Sequence, residues 1–168
     1  MEAHIINKPM QDAMNDQINR ELYSSYLYLS MAAYLEDRNL PGFAHWMRVQ
    51  EAEERGHAMK LYDFMVERGG RVMLNAIDAP KAEWNSTLEL AEEVAAHEAK
   101  ITASINALYE LALKEKDYPT QIMLQWFITE QVEEEKNAAE IVANLKLIED
   151  RGTAVLMLDH RLAKRAGE

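Results

Sequence analysis

The sequence contains no cysteine, which excludes disulfides, thiolate metal sites and cysteine nucleophiles. Proline and glycine are scarce, four and six among 168 residues, so few points force a helix to stop. Basic side chains are outnumbered by acidic ones, 18 to 29, for a formal net charge of −11. That argues against nucleic acid as the main partner, because binding it needs a cationic surface. No apolar run approaches the length of a membrane span. The opening Met1-Glu2-Ala3-His4-Ile5-Ile6-Asn7 lacks the basic start and sustained apolar run of a signal peptide. A single domain over residues 1–168 in a reducing cytoplasm, with no membrane partner, is the expectation. The acidic excess suits attraction of cations, but acidic soluble chains are common. The placement of the carboxylates has to decide.

What fills the sequence is Ala, Leu, Met, Glu and Lys, all good helix formers. The punctuation divides it into helices at about 9–38, 42–68, 86–116, 119–150 and 153–164. Pro9 is tolerated in an opening turn, and Asn39-Leu40-Pro41-Gly42 breaks the first helix from the second. Gly69-Gly70 ends the second helix, and Ser86-Thr87-Leu88-Glu89 is a capping box that opens the third. Asp117-Tyr118-Pro119-Thr120 separates the third from the fourth, and Gly152-Thr153 introduces a short fifth.

Short turns make helices one and two antiparallel, and likewise three and four. The 17 residues from Gly69 to Asn85 reach at most about 56–61 Å, while a helix over 42–68 is about 40 Å long. That linker can run the length of the bundle and leave helices two and three parallel. One such crossover is the ferritin-like arrangement of a four-helix bundle. Length alone also allows a flexible loop between antiparallel helices. Val72, Met73, Leu74, Ile77 and Trp84 favour a segment that packs.

Each long helix carries a seam of alternating three- and four-residue steps, the inward face of a packed helix. The seams run Met14, Ile18, Glu21, Ser25, Tyr28, Ala32, Leu35; then Phe43, Met47, Gln50, Glu54, His57, Leu61, Phe64. The third and fourth run Ala91, Val94, Glu98, Ile101, Ile105, Leu108, Ala112; and Leu124, Phe127, Gln131, Glu134, Ala138, Ile141, Leu145, Ile148. Every seam is apolar at both ends and interrupted by a glutamate near its middle. Glu21, Glu54, Glu98 and Glu134 lie within about three residues, or about 5 Å, of their helix midpoints, which puts four carboxylates in one layer. A single seam glutamate is more often a boundary residue reaching solvent, and a single Glu-x-x-His is weak. Four at one depth, one with His57 three residues later, are prohibitive without cations. Two divalent ions would balance them. Oxygen ligands with one imidazole and no sulfur suit iron or manganese, with zinc and cobalt as competitors.

Four stretches then stand out: Asn19-Arg20-Glu21-Leu22-Tyr23-Ser24-Ser25-Tyr26-Leu27-Tyr28; Glu53-Glu54-Arg55-Gly56-His57; Asp117-Tyr118-Pro119-Thr120; and Leu124-Gln125-Trp126-Phe127-Ile128-Thr129-Glu130-Gln131-Val132-Glu133-Glu134-Glu135-Lys136. In this order they resemble the non-haem ferritins of bacteria and archaea, from about Met10 to Leu162. The resemblance implies an all-α, ferritin-like four-helix bundle with one long crossover and a short fifth C-terminal helix. It implies iron storage with ferroxidase activity on Fe(II), using oxygen or peroxide, and self-association into a shell of about 24 copies holding ferric oxide. By resemblance, Glu21, Glu54 and His57 hold a first iron. Glu54, Glu98 and Glu134 hold a second, with Glu54 bridging and Gln131 close by. Glu53, Glu130 and Glu133 hold a third more weakly, and Tyr28 and Trp126 are implicated in electron donation. Read from the sequence alone, Tyr28 and Trp126 are ordinary core aromatics, and the three outer glutamates are equally a solvated helix face.

Departures from neighbouring families sharpen this. Bacterioferritins, ribonucleotide-reductase-like proteins and rubrerythrin carry a second Glu-x-x-His, whereas Gln131-Val132-Glu133-Glu134-Glu135-Lys136-Asn137 has no histidine. Bacterioferritins place a haem-binding Met where Arg55 stands, so no haem is expected, and no Cys-x-x-Cys supports a rubredoxin-type iron. His4, His45, His97 and His160 fall outside the motifs and read as surface or packing residues. Two other function classes remain: a non-storage di-iron redox enzyme such as a peroxidase, and an inert helical bundle.

Overall fold

The computed structural model describes residues 5–149 and 151–167. His4 and Asp150, the expected end of helix four, lie outside the described residues. Five helices follow in order: α1 Lys8–Asp37, α2 Pro41–Glu67, α3 Thr87–Lys114, α4 Tyr118–Ile148 and α5 Gly152–Leu162. Apart from the end of helix four, the boundaries fall within two residues of their expected places, because the end signals are local chemistry. Asn7 caps α1, its side-chain oxygen accepting from the backbone N–H of Met10 at 3.0 Å. Ser86 caps α3 by accepting from Glu89 N at 3.0 Å, while Glu89 reaches back to Asn85 N at 3.1 Å. Three helices end alike, with Asn39, Gly69 and Lys116 in the left-handed region and the next N–H closing onto Leu35, Met65 and Ala112 carbonyls.

α2 has no side-chain cap of its own. Asp159 of α5 supplies one, its Oδ1 accepting from Phe43 N at 2.8 Å. The approach is so close that a Cβ on Gly42 would lie 1.7 Å from the Asp159 carbonyl oxygen. This contact pins α5 across one end of the bundle, where Leu158 and Leu162 join the core.

Hydrogen bonds trace the crossover along α1. Arg71 and Met73 bond to Gln11 and Asn15 near its start. The Lys81 carbonyl accepts from Ser30, and the Trp84 carbonyl from Tyr34, near its end. The linker therefore spans the bundle, and α2 and α3 run parallel. The linker is less buried than its apolar residues suggest. Trp84 is 4 % exposed, but Met73 and Leu74 are 54 % and 67 % exposed, and Ile77 is exposed too. Polar anchors to α1 hold the segment in place, so its apolar side chains need not face inward.

The core is split in two. One apolar cluster gathers Tyr28, Met31, Leu35, Phe43, Met47, Val94 and Ile141. The other gathers Met14, Ile18, Leu61, Met65, Ile101, Ile105 and Phe127. α1 and α4 pass from the second cluster to the first, and α2 and α3 pass the other way, which independently fixes their directions. Between the clusters lie Glu21, Gln50, Glu54, Glu98, Gln131 and Glu134, all buried. Of the seam residues, only Phe64 and Ile148 fall short of full burial. No helix among the described residues is long and apolar enough to cross a membrane.

Candidate metal centre

One glutamate from each long helix meets in this layer. Among the described residues, Glu21, Glu54 and His57 bring ligand atoms within 4.8 Å of one another, as do Glu54, Glu98 and Glu134. The two groups share Glu54. His57 Nδ1 lies 3.4 Å from Glu54 Oε2, one turn along α2.

The other three carboxylates are each gripped by donors. Gln17 gives its amide to Glu21 Oε1 at 2.9 Å, and Gln50 gives its amide to Glu134 Oε2 at 2.8 Å. Glu98 accepts from the Tyr28 hydroxyl and from Gln131 Nε2 at 3.1 Å. Glu54 is different: neither of its oxygens, nor Oε2 of Glu21, meets a hydrogen-bond partner, although all are buried. Buried carboxylate oxygens facing one another without donors are costly, and a cation bound between them would satisfy them. The donor set therefore fits hard or borderline metal ions.

The electrostatics point the same way. Burial pushes the Glu21 carboxyl up to about 7, partly offset by hydrogen bonds that include Gln17. Burial and the charge of Glu98 push Glu134 up to about 8. Glu54 is raised well above the carboxylate range by burial and by the charges of Glu98 and Glu21, and Glu98 is raised chiefly by burial. Burial, helped by Lys60, lowers His57 to about 4, leaving a neutral imidazole with a free lone pair near neutral pH. Burial therefore favours neutral carboxyls over four bare charges in this layer.

The outer residues separate. Glu130 joins His57 and Glu134 in a third group, while Glu133 is exposed. Glu53 is not in that group, and Arg165 Nη2 donates to it at 2.7 Å. Tyr28 is fully buried, as a core aromatic would be, but its hydroxyl is committed to Glu98. Trp126 is 37 % exposed and not core at all. Its ring meets His57 edge-on at 5.4 Å, with Lys60 Nζ 3.5 Å over its face. Gln131 spends its amide nitrogen on Glu98 and Thr102, so its oxygen is what it could offer a metal. His97 is half-buried, hydrogen-bonded to Ser24 at 2.7 Å and edge-on to Tyr28, while His45 and His160 are exposed. Sequence reasoning assigned no role to Gln17 or Gln50. Gln17 stands four residues before Glu21 on the same helix face, and that spacing was its available signal, whereas Gln50 reaches Glu134 on another helix, which no spacing within α2 shows.

A helical bundle with one long crossover and a buried carboxylate layer defines the class of ferritin-like proteins. Residues 11–148 match the ferritin-like domain family. A bacterial non-heme ferritin from Bacteroides fragilis is 41 % identical over 161 residues, covering 96 % of this chain and all of that one. One from Staphylococcus saprophyticus is 39 % identical over 162 residues, covering 96 % and 97 %. Among solved structures, an open-pore ferritin from the hyperthermophilic archaeon Archaeoglobus fulgidus superposes with a TM-score of 0.95 at 50 % identity, covering 96 % and 99 %. A form of that ferritin engineered to be closed superposes at 0.96, with 50 % identity and 97 % and 99 % coverage. The chain belongs to the ferritin family, with the non-haem ferritins of bacteria and archaea.

Proposed function

We propose that this protein takes up Fe(II) at a paired centre, oxidises it with oxygen or peroxide, and stores the product as ferric oxide inside a hollow shell of about 24 copies. The observation that carries this reading is the pair of ligand groups sharing Glu54. In it Glu21, Glu54 and His57 receive one iron, and Glu54, Glu98 and Glu134 receive the other, with Gln131 alongside. Two divalent ions replace the protons of the metal-free layer and offset its four carboxylates. Iron is here the substrate and the cargo. The reading includes no haem.

Each Fe(II) gives up one electron. A pair supplies the two that convert oxygen and two protons to hydrogen peroxide, or hydrogen peroxide and two protons to water. The chain's part is to fix the spacing of the ions and to lower the cost of their rising charge. Gln17, Gln50 and Gln131 keep the carboxylates aimed, and the neutral His57 gives an uncharged ligand. With a third Fe(II) giving the third electron, Tyr28 can supply the fourth, which takes one oxygen molecule and four protons to two waters, its own proton passing to Glu98. In this reading Glu130, which lies with His57 and Glu134, receives a third iron loosely and helps clear the centre, with Glu53 and Glu133 as its further ligands.

The test combines Glu54→Ala with iron loading. Wild-type protein should sediment as a large closed particle and retain iron after aerobic Fe(II) addition. Glu54→Ala should assemble but lose fast oxidation, because both ions lose their shared ligand. Unchanged rapid oxidation in the variant would refute the bridging role. A particle that stays monomeric or dimeric at every concentration and salt would refute the storage shell.

A further inference from the structure

Beyond α5 the chain returns to α2 and meets it at three points. His45 Nε2 donates to the Arg165 carbonyl at 2.7 Å. The Arg165 guanidinium carbon lies 4.6 Å from the centre of the Trp46 ring. Its Nη2 donates to Glu53 Oε2 at 2.7 Å. Trp46 and Glu53 are two helical turns apart and share a face, so the guanidinium is steered along α2 by a flat aromatic. The ion pair is largely shielded, with Arg165 and Glu53 side chains 18 % and 12 % exposed, so salt screens it weakly. Arg165 Nη1 is buried and meets no hydrogen-bond acceptor. Its charge also reaches Glu134, where it opposes the upward push of burial.

We propose that Arg165 is a positioning residue for the third metal site: its guanidinium occupies Glu53, and an incoming cation must displace it before Glu53 can act as a ligand. This rests on the outer-cluster part of the reading above. The consequence is a third site that opens by exchange of one cation for another, and so binds more weakly than the paired centre by the cost of breaking a charge-assisted hydrogen bond. The stack on Trp46 gives the displaced side chain a place to remain, which makes the exchange reversible.

Zn(II), which undergoes no oxidation, is the probe. Metal-free assembled protein is titrated by calorimetry as wild type, R165Q, R165M, E53Q and E53Q/R165Q. All five should bind two ions tightly per subunit. In R165Q the weaker further class should tighten by roughly tenfold. R165M keeps an unbranched side chain over Trp46 without the charge, so it should tighten likewise even if R165Q disturbs the tail. In the E53Q background, adding R165Q should have a much smaller effect, because the pairing with Glu53 is already gone and only the charge felt at Glu134 remains. Equal weak-class affinity in wild type, R165Q and R165M overturns the proposal. So does an equal effect of R165Q with and without Glu53, which would leave Arg165 as a packing anchor only. Absence of the two tight ions in the wild type would instead sink the paired-centre reading.

Discussion

Gln50 on α2 donates its amide to Oε2 of Glu134 on α4 at 2.8 Å, joining two helices through the carboxylate layer. Both groups are buried, and Gln50 Oε1 has no partner of its own. The amide holds Oε2 of Glu134 and so sets the orientation of that carboxylate. Outer donors of this kind typically change metal affinity by about 10–100-fold when removed. Gln50→Leu, similar in volume, should therefore fold and assemble yet bind the second of two Co(II) ions more weakly by about that factor. Titration of the Co(II) absorption bands checks it, and two ions of unchanged affinity would contradict it.

A pH dependence follows from the same layer. Glu21 and Glu134 titrate near 7 and 8 in the folded protein, against 4.5 for an ordinary glutamate. Between those values the unfolded chain ionises while the folded one keeps its protons, so stability falls as pH rises. His57 and His97, both lowered to about 4, act in the opposite sense, gaining stability as pH rises, but only up to about 6.5. Above that the carboxyls alone decide. Metal-free protein in chelator should lose on the order of 1–3 kcal/mol between pH 6.5 and 8.5, read as a falling Tm. Zn(II) should reverse the loss and release protons on binding at pH 7. A flat Tm across that window would show that the layer is not protonated.

Glu130 lies with His57 and Glu134, at the edge of the paired centre. Glu130→Ala should nevertheless keep the first burst of oxidation when two Fe(II) per subunit are added. It should alter the iron-to-oxygen ratio and slow recovery between additions. Stopped-flow absorbance separates these outcomes. A lost first burst, as expected for Glu54→Ala, would move Glu130 into the primary centre.

Gly42 carries the contact that seats α5. Its Cβ position is already taken by the Asp159 backbone, at 1.7 Å. Gly42→Ala must push α5 off the end of α2, at a cost of about 1–3 kcal/mol. Asp159→Ala removes only the cap on Phe43 N, for about 1 kcal/mol. Thermal melts should rank the two in that order. Limited proteolysis should cut the α4–α5 junction faster in Gly42→Ala, and equal resistance would argue against the close seating.

Local sequence specifies the helices, their ends and the depth of Glu21, Glu54, Glu98 and Glu134. Those features are local: capping depends on neighbours three or four residues away, and seam periodicity names the inward face without reference to any partner. It also placed His57 beside Glu54, one turn along the same helix. Tertiary structure decided everything that depends on which faces meet across helices. It gave Glu134 the amide of Gln50, gave Glu98 the hydroxyl of Tyr28, capped α2 with Asp159 and laid Arg165 on Glu53. It also left Leu74 and Met73 exposed, because the crossover hangs on polar bonds to α1. Such pairings join residues up to 116 positions apart, and their geometry depends on the relative rotation and height of packed helices. No spacing within one helix encodes that.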